Sequence, residues 1–99
     1  MAAYAVVNIE VTDSKGYEEY RSRSGATIQK FGGRFLVRGG TREVVEGKVR
    51  GRTVVLEFPS YQAALACHRS PDYQAAAALR QGKAEIDLFI IEGYDGPQT

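Results

Sequence analysis

The segment Arg34–Phe58 decides the fold, because it holds two strand patterns with no helical pattern between them. The first is RFLVR (Arg34–Arg38) and the second is RTVVLEF (Arg52–Phe58), and both are rich in the β-branched and aromatic residues that favour strands. Gly39-Gly40 interrupts the first strand as a bulge or a turn, and Glu43–Glu46 is a stretch where pairing can resume. The segment therefore predicts a central antiparallel hairpin.

The residues before this hairpin predict a strand and then a helix. Tyr4–Thr12 (YAVVNIEVT) alternates between two faces, as a half-buried strand does. Asp13 or Ser14 then provides an oxygen for the free N–H groups of a starting helix. Along Tyr17–Phe31 side chains of one helix face recur every three or four residues, and Gly32-Gly33 is typical of a helix end.

The residues after the hairpin predict two helical stretches and a last strand. Pro59 cannot donate to a strand ladder and Ser60 is a good N-cap, so we expect a helix from Tyr61. Ser70-Pro71 interrupts that helix and caps a second stretch. The second stretch runs from Asp72 to about Arg80, Gly82 closes it, Ile86–Gly93 (IDLFIIEG) is the last strand, and Tyr94–Thr99 is a loose tail.

The predicted order of elements is therefore β-α-β-β-α-β. This order is that of an α+β, ferredoxin-like domain, in which both helices lie on one face of a four-stranded antiparallel sheet. A chain of 99 residues is long enough for one such domain and too short for two. We expect a single domain over residues 1–99.

Composition places the chain among globular proteins. Hydrophobic residues make up 43% and charged residues 25%, which excludes intrinsic disorder. Thirteen basic and twelve acidic residues give a net charge of +1, so we do not expect a protein that binds nucleic acid or membranes over its whole surface. No apolar run approaches the roughly 20 residues that span a bilayer, and no signal-peptide pattern is present. The single cysteine, Cys67, cannot form an intrachain disulfide, which fits a cytoplasmic protein.

The last two strands carry apolar side chains on both faces. In the final strand Ile86, Leu88 and Ile90 share one face, while Phe89 and Ile91 lie on the other, and the third strand behaves similarly. Two helices cover only one face, and uncovered apolar surface costs about 25 cal/mol per Å². We therefore expect a homodimer that packs sheet against sheet around a two-fold axis.

A set of short motifs, spread from about Tyr4 to Gly93, points to one known family. The motifs are Gly32-Gly33-Arg34, Arg38-Gly39-Gly40, Glu46-Gly47, Glu57-Phe58-Pro59-Ser60, Ser70-Pro71-Asp72-Tyr73 and Arg80. With them the chain resembles a bacterial family built on a domain of unknown function, the thirteen-thirty family. The resemblance implies a ferredoxin-like fold in the dimeric α/β-barrel superfamily. That superfamily includes cofactor-free monooxygenases, haem-binding enzymes and small lactone isomerases, so the fold does not settle the function. The chain departs from the family at Cys67-His68-Arg69, where aromatic residues often precede Ser-Pro.

Five residues are candidates for a ligand site: Tyr20, Arg38, Glu57, His68 and Tyr73. We expect Arg38 and Glu57, on neighbouring strands, to pair across the sheet. Arg38 could then hold a carboxylate or an enolate, with Glu57 as its orienting partner or as a base. His68 is the only histidine and the natural general base near neutral pH, although a locally bonded histidine at a helix end is the simpler explanation. Tyr20 and Tyr73 can offer hydroxyl groups to a cleft or serve as core residues.

Alternation along the strands predicts where this site lies. We expect Arg34, Leu36 and Arg38 on one face of the second strand, around an apolar space between two subunits, which is the usual form of a small-ligand pocket. No metal site is expected, because only two Cys or His residues are present. No cofactor is expected either, since the glycine pairs match no phosphate-binding loop. The basic segment Arg34–Arg52 is interpreted as a solvated sheet edge. RNA binding is disfavoured because the stacking aromatic pattern is absent.

Two functional hypotheses follow. In the first, the homodimer binds or transforms a small organic molecule in a cleft beside the sheet; proton transfer or cofactor-free oxidation then suits the available groups better than acyl transfer. In the second, the chain is a non-catalytic binding or assembly module whose sheet faces serve dimerisation only, with no ligand pocket. An open cleft favours the first hypothesis, and a closed, packed interior favours the second.

Overall fold

Four strands and three helices make up the protein, described here by a computed structural model of residues 1–99. The strands form one antiparallel sheet in the order β2-β3-β1-β4. Their bounds are β1 Ala3–Val11, β2 Arg34–Arg38, β3 Arg52–Phe58 and β4 Ala84–Glu92, and those of the helices are α1 Ser14–Lys30, α2 Tyr61–Arg69 and α3 Pro71–Ala78. The predicted ferredoxin-like fold is confirmed, with its second helix divided at Ser70-Pro71.

Side-chain oxygens fix where each helix begins. The Asp13 carboxylate accepts from the Gly16 N–H at 3.0 Å, and the Ser60 hydroxyl accepts from the Ala63 N–H at 3.0 Å. The Ser70 hydroxyl accepts from the Tyr73 N–H at 3.1 Å. Each contact satisfies one of the donors that a helix start leaves free, as the sequence predicts.

The sheet has two faces of different character. The face covered by the helices, called here the helix face, presents alternate apolar side chains of three strands: Ala5, Val7, Ile9, Val54, Leu56, Phe58, Leu88 and Ile90. The opposite face, called here the open face, has no cover within the chain. At one end it presents Tyr4, Val6, Val55, Phe89 and Ile91, and at the other Asn8, Thr53, Glu85 and Asp87. The predicted division of the last strand between two faces is correct.

A β-bulge in β2 changes the predicted arrangement of that strand. Phe35 lies opposite Leu56 and Val37 lies opposite Val55, so Leu36 is an extra residue without a partner. The expectation that Arg34, Leu36 and Arg38 share one face is therefore wrong. Because the extra residue reverses the alternation, Arg34 lies on the open face and Arg38 on the helix face.

Residues 39–51 form an irregular loop between β2 and β3. Pairing does not resume at Glu43–Glu46, and Gly39 ends β2 with a φ of +72° rather than interrupting it. Side chains hold the loop instead of a ladder. Arg42 donates to the Thr53 hydroxyl at 2.9 Å, and Arg50 pairs with Glu85 and Asp87 of β4 across the open face. Every residue of β2 is exposed.

Candidate functional site

A cavity lies between α1 and the helix face of the sheet. Its volume is about 80 Å³, and 16 of its 22 lining residues are hydrophobic. That volume holds several water molecules and is about half of the roughly 150 Å³ that accommodates benzene in an engineered protein cavity. The cavity therefore suits an apolar group of a few carbons whose remainder stays at the mouth.

Small side chains explain why this space is left unfilled. Helix α1 packs on α3, whereas α2 packs on the strands. Where α1 faces the sheet it carries Ser24 and Gly25, and β1 contributes Ala5 from below. A Cβ at Gly25 would meet no atom within 4 Å. Since these residues are too short to span the gap, a space stays open beside them, while Tyr17 and Ile28 of the same helix pack into the core.

Two tyrosine hydroxyl groups meet at the cavity wall. The Oη atoms of Tyr20 on α1 and Tyr73 on α3 are 2.6 Å apart, and their rings meet edge to face with centroids 6.2 Å apart. Arg80 donates to the Tyr73 Oη at 2.9 Å and lies 4.6 Å from the centroid of the Tyr20 ring. The three side chains form one hydrogen-bonded unit that joins α1 to α3.

This unit keeps one hydroxyl proton free. An arginine only donates, so the two tyrosines share a single hydrogen bond between them, and whichever tyrosine accepts it retains its own proton. Burial and the neighbouring Tyr73 hold the pKa of Tyr20 far above its usual range, so Tyr20 stays protonated. The pair therefore has one hydroxyl donor left to offer to the cavity.

His68 borders the cavity from α2 beside this unit. Its ring centroid lies 5.3 Å from that of Tyr73, and its ring makes no hydrogen bond within the chain. Burial lowers the pKa of His68, and the positive charges of Arg80 and Arg69 lower it further. A neutral imidazole with an unused nitrogen can accept a proton from a molecule in the cavity.

Cys67, the residue before His68, lies in the core. Burial raises the pKa of its thiol to about 11, so the thiolate that a nucleophile requires is absent near neutral pH. Acyl transfer through Cys67 is therefore not supported.

Arg38 reaches the cavity, and Glu57 does not. The predicted pair between Arg38 and Glu57 is wrong, because the bulge puts Arg34 opposite Glu57 and Arg38 opposite Val54. The Arg34 Nε donates to the Glu57 Oε1 at 2.8 Å on the open face, away from the cavity. Arg38 instead lies over the Phe35 ring, 4.0 Å from its centroid, at the cavity edge.

Of the five predicted site residues, four thus surround one cavity: Tyr20, Arg38, His68 and Tyr73. The cavity lies under the helices, not between two open faces as expected. Sequence reasoning missed Arg52, although its alternation with Val54 and Leu56 places it on the same face. It also named Arg80 only as the end of a helical stretch and as a family motif, because no sequence signal reveals its contact with two tyrosines.

No three His, Cys, Asp or Glu side chains in the structure lie close enough together to hold a metal ion. No helix has the length and apolar character that crossing a bilayer would require.

The family described as "Domain of unknown function (DUF1330)" matches residues 2–94. The chain belongs to this family. The resemblance inferred from its short motifs is thereby confirmed. No curated protein sequence matches the chain.

Solved structures similar to this DUF1330 chain share its fold. A protein of unknown function from Rhodopseudomonas palustris is 18% identical, with a TM-score of 0.75, covering 96% of this chain and 84% of that one. SnoaB, a cofactor-independent oxygenase from Streptomyces nogalater, is 13% identical, with a TM-score of 0.62 and coverage of 99% and 98%. A dimeric protein of unknown function from Bacteroides fragilis, described as ferredoxin-like, is 13% identical, with a TM-score of 0.61 and coverage of 93% and 96%.

Proposed function

We propose that this protein is a homodimer that binds a small organic molecule in the cavity between α1 and the sheet. The observation that carries the proposal is the combination of an apolar lining with a few polar groups that converge on it, which is the usual composition of a small-ligand site. Tyr20 and Tyr73 supply a hydroxyl donor, and His68 supplies an acceptor. The apolar walls would hold the hydrocarbon part.

The open face supports the homodimer. Phe89 and Ile91 of β4 expose about half of their surface, at 51% and 52%, and Val37 of β2, on the same face at the opposite edge of the sheet, exposes 42%. Large apolar side chains grouped on an uncovered sheet mark an interaction surface. A second copy placed by a two-fold axis would cover the same patch on both chains. The description of the Bacteroides fragilis protein as dimeric agrees with this arrangement.

The ligand site is tested by adding small molecules to the wild type and to a variant in which a larger side chain fills the cavity. Small probes (3-methylbutanol, 3-methylbutanamide, 3-methylbutanoate and butanone) are added at millimolar concentration while the melting temperature is followed. A molecule that binds only the folded state raises that temperature by mass action. In Gly25→Leu the new side chain enters the open space, so the rise should disappear. Leucine also favours a helix by roughly 1 kcal/mol relative to glycine, which protects the fold.

The matched control is Ala26→Leu, one position further along α1 and exposed. It should keep the full rise. A protein that none of the probes stabilises contradicts the proposal, and so does a rise that survives in Gly25→Leu. Gly25→Ala, with a smaller side chain, should give an intermediate loss.

Proton transfer is a second candidate function, favoured by the neutral His68 ring and its unused nitrogen. His68 would remove a proton next to a carbonyl group while a tyrosine hydroxyl donates to the carbonyl oxygen. The test follows exchange of the α-protons of butanone with deuterated water by NMR. The protein should accelerate exchange, and His68→Gln should remove that acceleration, because glutamine is not a base near neutral pH. Equal exchange rates with and without protein would exclude this function.

A further inference from the structure

Two arginine side chains extend from neighbouring positions of the helix face at the mouth of the cavity. Arg38 of β2 is paired with Val54 of β3, and Arg52 precedes Val54 by two positions on the same strand. Alternate residues of a strand point to one face, so Arg38 and Arg52 are diagonal neighbours on adjacent strands. Both line the cavity.

Neither arginine has an acidic partner. The arginines that do form ion pairs are Arg21 with Glu18, Arg34 with Glu57, and Arg50 with Glu85 and Asp87. No Asp or Glu lines the cavity. Glu10 and Glu18 border a second depression, which Arg52 also lines, but neither carboxylate lies within 4 Å of the Arg52 guanidinium. No ion pair within the chain therefore neutralises Arg38 or Arg52.

Contacts with the backbone and a ring hold both guanidinium groups in place. That of Arg38 lies over the Phe35 ring. That of Arg52 lies against Gly39, where an added Cβ would come within 2.7 Å of its Nη2 atom. Stacking on a ring and packing on a glycine leave the N–H edges of a guanidinium free. Such an edge matches a carboxylate with two parallel hydrogen bonds.

We infer that the molecule bound in this cavity is a carboxylic acid with a small apolar body, its carboxylate held by Arg38 and Arg52 at the mouth. The inference rests on the proposed function and names its ligand class. The apolar walls favour binding of such an acid over inorganic phosphate, because phosphate has no apolar surface to bury against them. The bulge at Leu36 makes this use of Arg38 possible, because without the bulge Arg38 would lie on the open face of the sheet.

The test compares acids with neutral molecules of nearly the same shape. Binding of butanoate, 3-methylbutanoate and benzoate, and of their three amides, is measured by calorimetry at low salt, with inorganic phosphate as a further probe. At least one acid should bind about tenfold or more tightly than its amide, because the charge-assisted hydrogen bonds are lost in the amide. Phosphate should bind more weakly than that acid.

Variants assign the effect to the two arginines. Arg38→Met and Arg52→Met should each weaken binding of the acid about tenfold and leave the amide unchanged. The matched control is Arg34→Met, which removes the same charge from the same strand on the open face, and it should leave acid binding unchanged. Raising the salt concentration should weaken binding of the acid and leave binding of the amide unchanged.

The outcomes separate this inference from the proposed function. If amides bind as tightly as acids, or if Arg34→Met weakens acid binding as much as Arg38→Met and Arg52→Met do, the carboxylate assignment is overturned while the cavity ligand stands. If no acid or amide binds, the inference fails. If in addition none of the neutral probes in the thermal experiment binds, the proposed function fails with it.

Discussion

Arg34 and Arg38 lie on the same short strand and point to opposite faces of the sheet. Arg34 pairs with Glu57 on the open face, and Arg38 lies over Phe35 at the cavity mouth. The single extra residue, Leu36, separates their roles. One strand thus contributes to two surfaces, the open face proposed for the homodimer and the cavity proposed for the ligand.

Replacing Gly39 by alanine should reduce stability. Gly39 has a φ of +72°, a left-handed conformation that costs an L-residue about 1–2 kcal/mol, and the added Cβ would displace the Arg52 guanidinium. We expect Gly39→Ala to lower the free energy of unfolding by about that amount in urea titrations, and to weaken acid binding. Gly40→Ala is the control, since its Cβ would meet no atom within 4 Å. Equal losses in the two variants would count against this account.

The tyrosine unit should show energetic coupling. Tyr73→Phe removes the hydrogen bond with Tyr20 and the acceptor of Arg80, whereas Tyr20→Phe removes only the first. Each hydrogen bond contributes about 0.5–1.5 kcal/mol, so Tyr73→Phe should be the more destabilising variant. A double-mutant cycle measured by urea unfolding should give a coupling energy of at least about 0.5 kcal/mol. If the losses of unfolding free energy in the two single variants simply add up in the double variant, the hydroxyl groups do not interact in solution.

Lowering the pH should destabilise the fold through His68. Its pKa in the folded protein lies below the usual value of 6.5, so the unfolded chain binds more protons as the pH falls through 6.5. This contribution to the free energy of unfolding is complete above pH 6.5 and decreases below it. We expect a steeper loss of stability between about pH 7 and pH 5 in the wild type than in His68→Gln. An NMR titration that places the His68 pKa at or above 6.5 would contradict the prediction.

The Cys67 thiol should resist alkylation in the native protein. Its pKa of about 11 keeps it protonated, and its side chain is buried. Mass spectrometry should find almost no reaction with iodoacetamide at pH 8 until urea unfolds the chain. The same shift predicts that stability decreases as the pH rises from about 9 to about 11, because the folded state then binds more protons than the unfolded state. Rapid labelling of Cys67 without denaturant would show that its thiol is not buried in solution.

A charge on the open face should separate the homodimer. In Phe89→Glu the two-fold axis would place an unpaired carboxylate from each chain in an apolar interface, which is costly to desolvate. Sedimentation at micromolar concentration should show a dimer for the wild type and a monomer for Phe89→Glu, with unchanged circular dichroism. Gln62→Glu, which adds the same charge on an exposed position of α2, should remain a dimer. A wild type that sediments as a single chain would refute the homodimer.

The fold was predictable because its determinants are local. Alternation in Tyr4–Thr12 and Arg52–Phe58, together with caps at Asp13, Ser60 and Ser70, depends on residues close in sequence. The element bounds derived from these signals agree with the structure to within a few residues.

The site was less predictable because it depends on two non-local features. Nothing in RFLVR marks Leu36 as a bulge, so simple alternation put Arg38 beside Glu57. The cavity depends on how far α1 stands from the sheet, which Gly25 and Ser24 permit but no spacing in the sequence reveals.

The exposed edge position of β2 has a consequence for how a molecule reaches the interior. Within one chain β2 is bonded to β3 alone and buries none of its side chains, so separating it from the sheet costs far less than unfolding the protein. Amide hydrogens of β2 should accordingly exchange with solvent sooner than those of β1. Brief separation of β2 from β3 would open a path to the cavity beside Arg38. The strand would pair again once a ligand is bound.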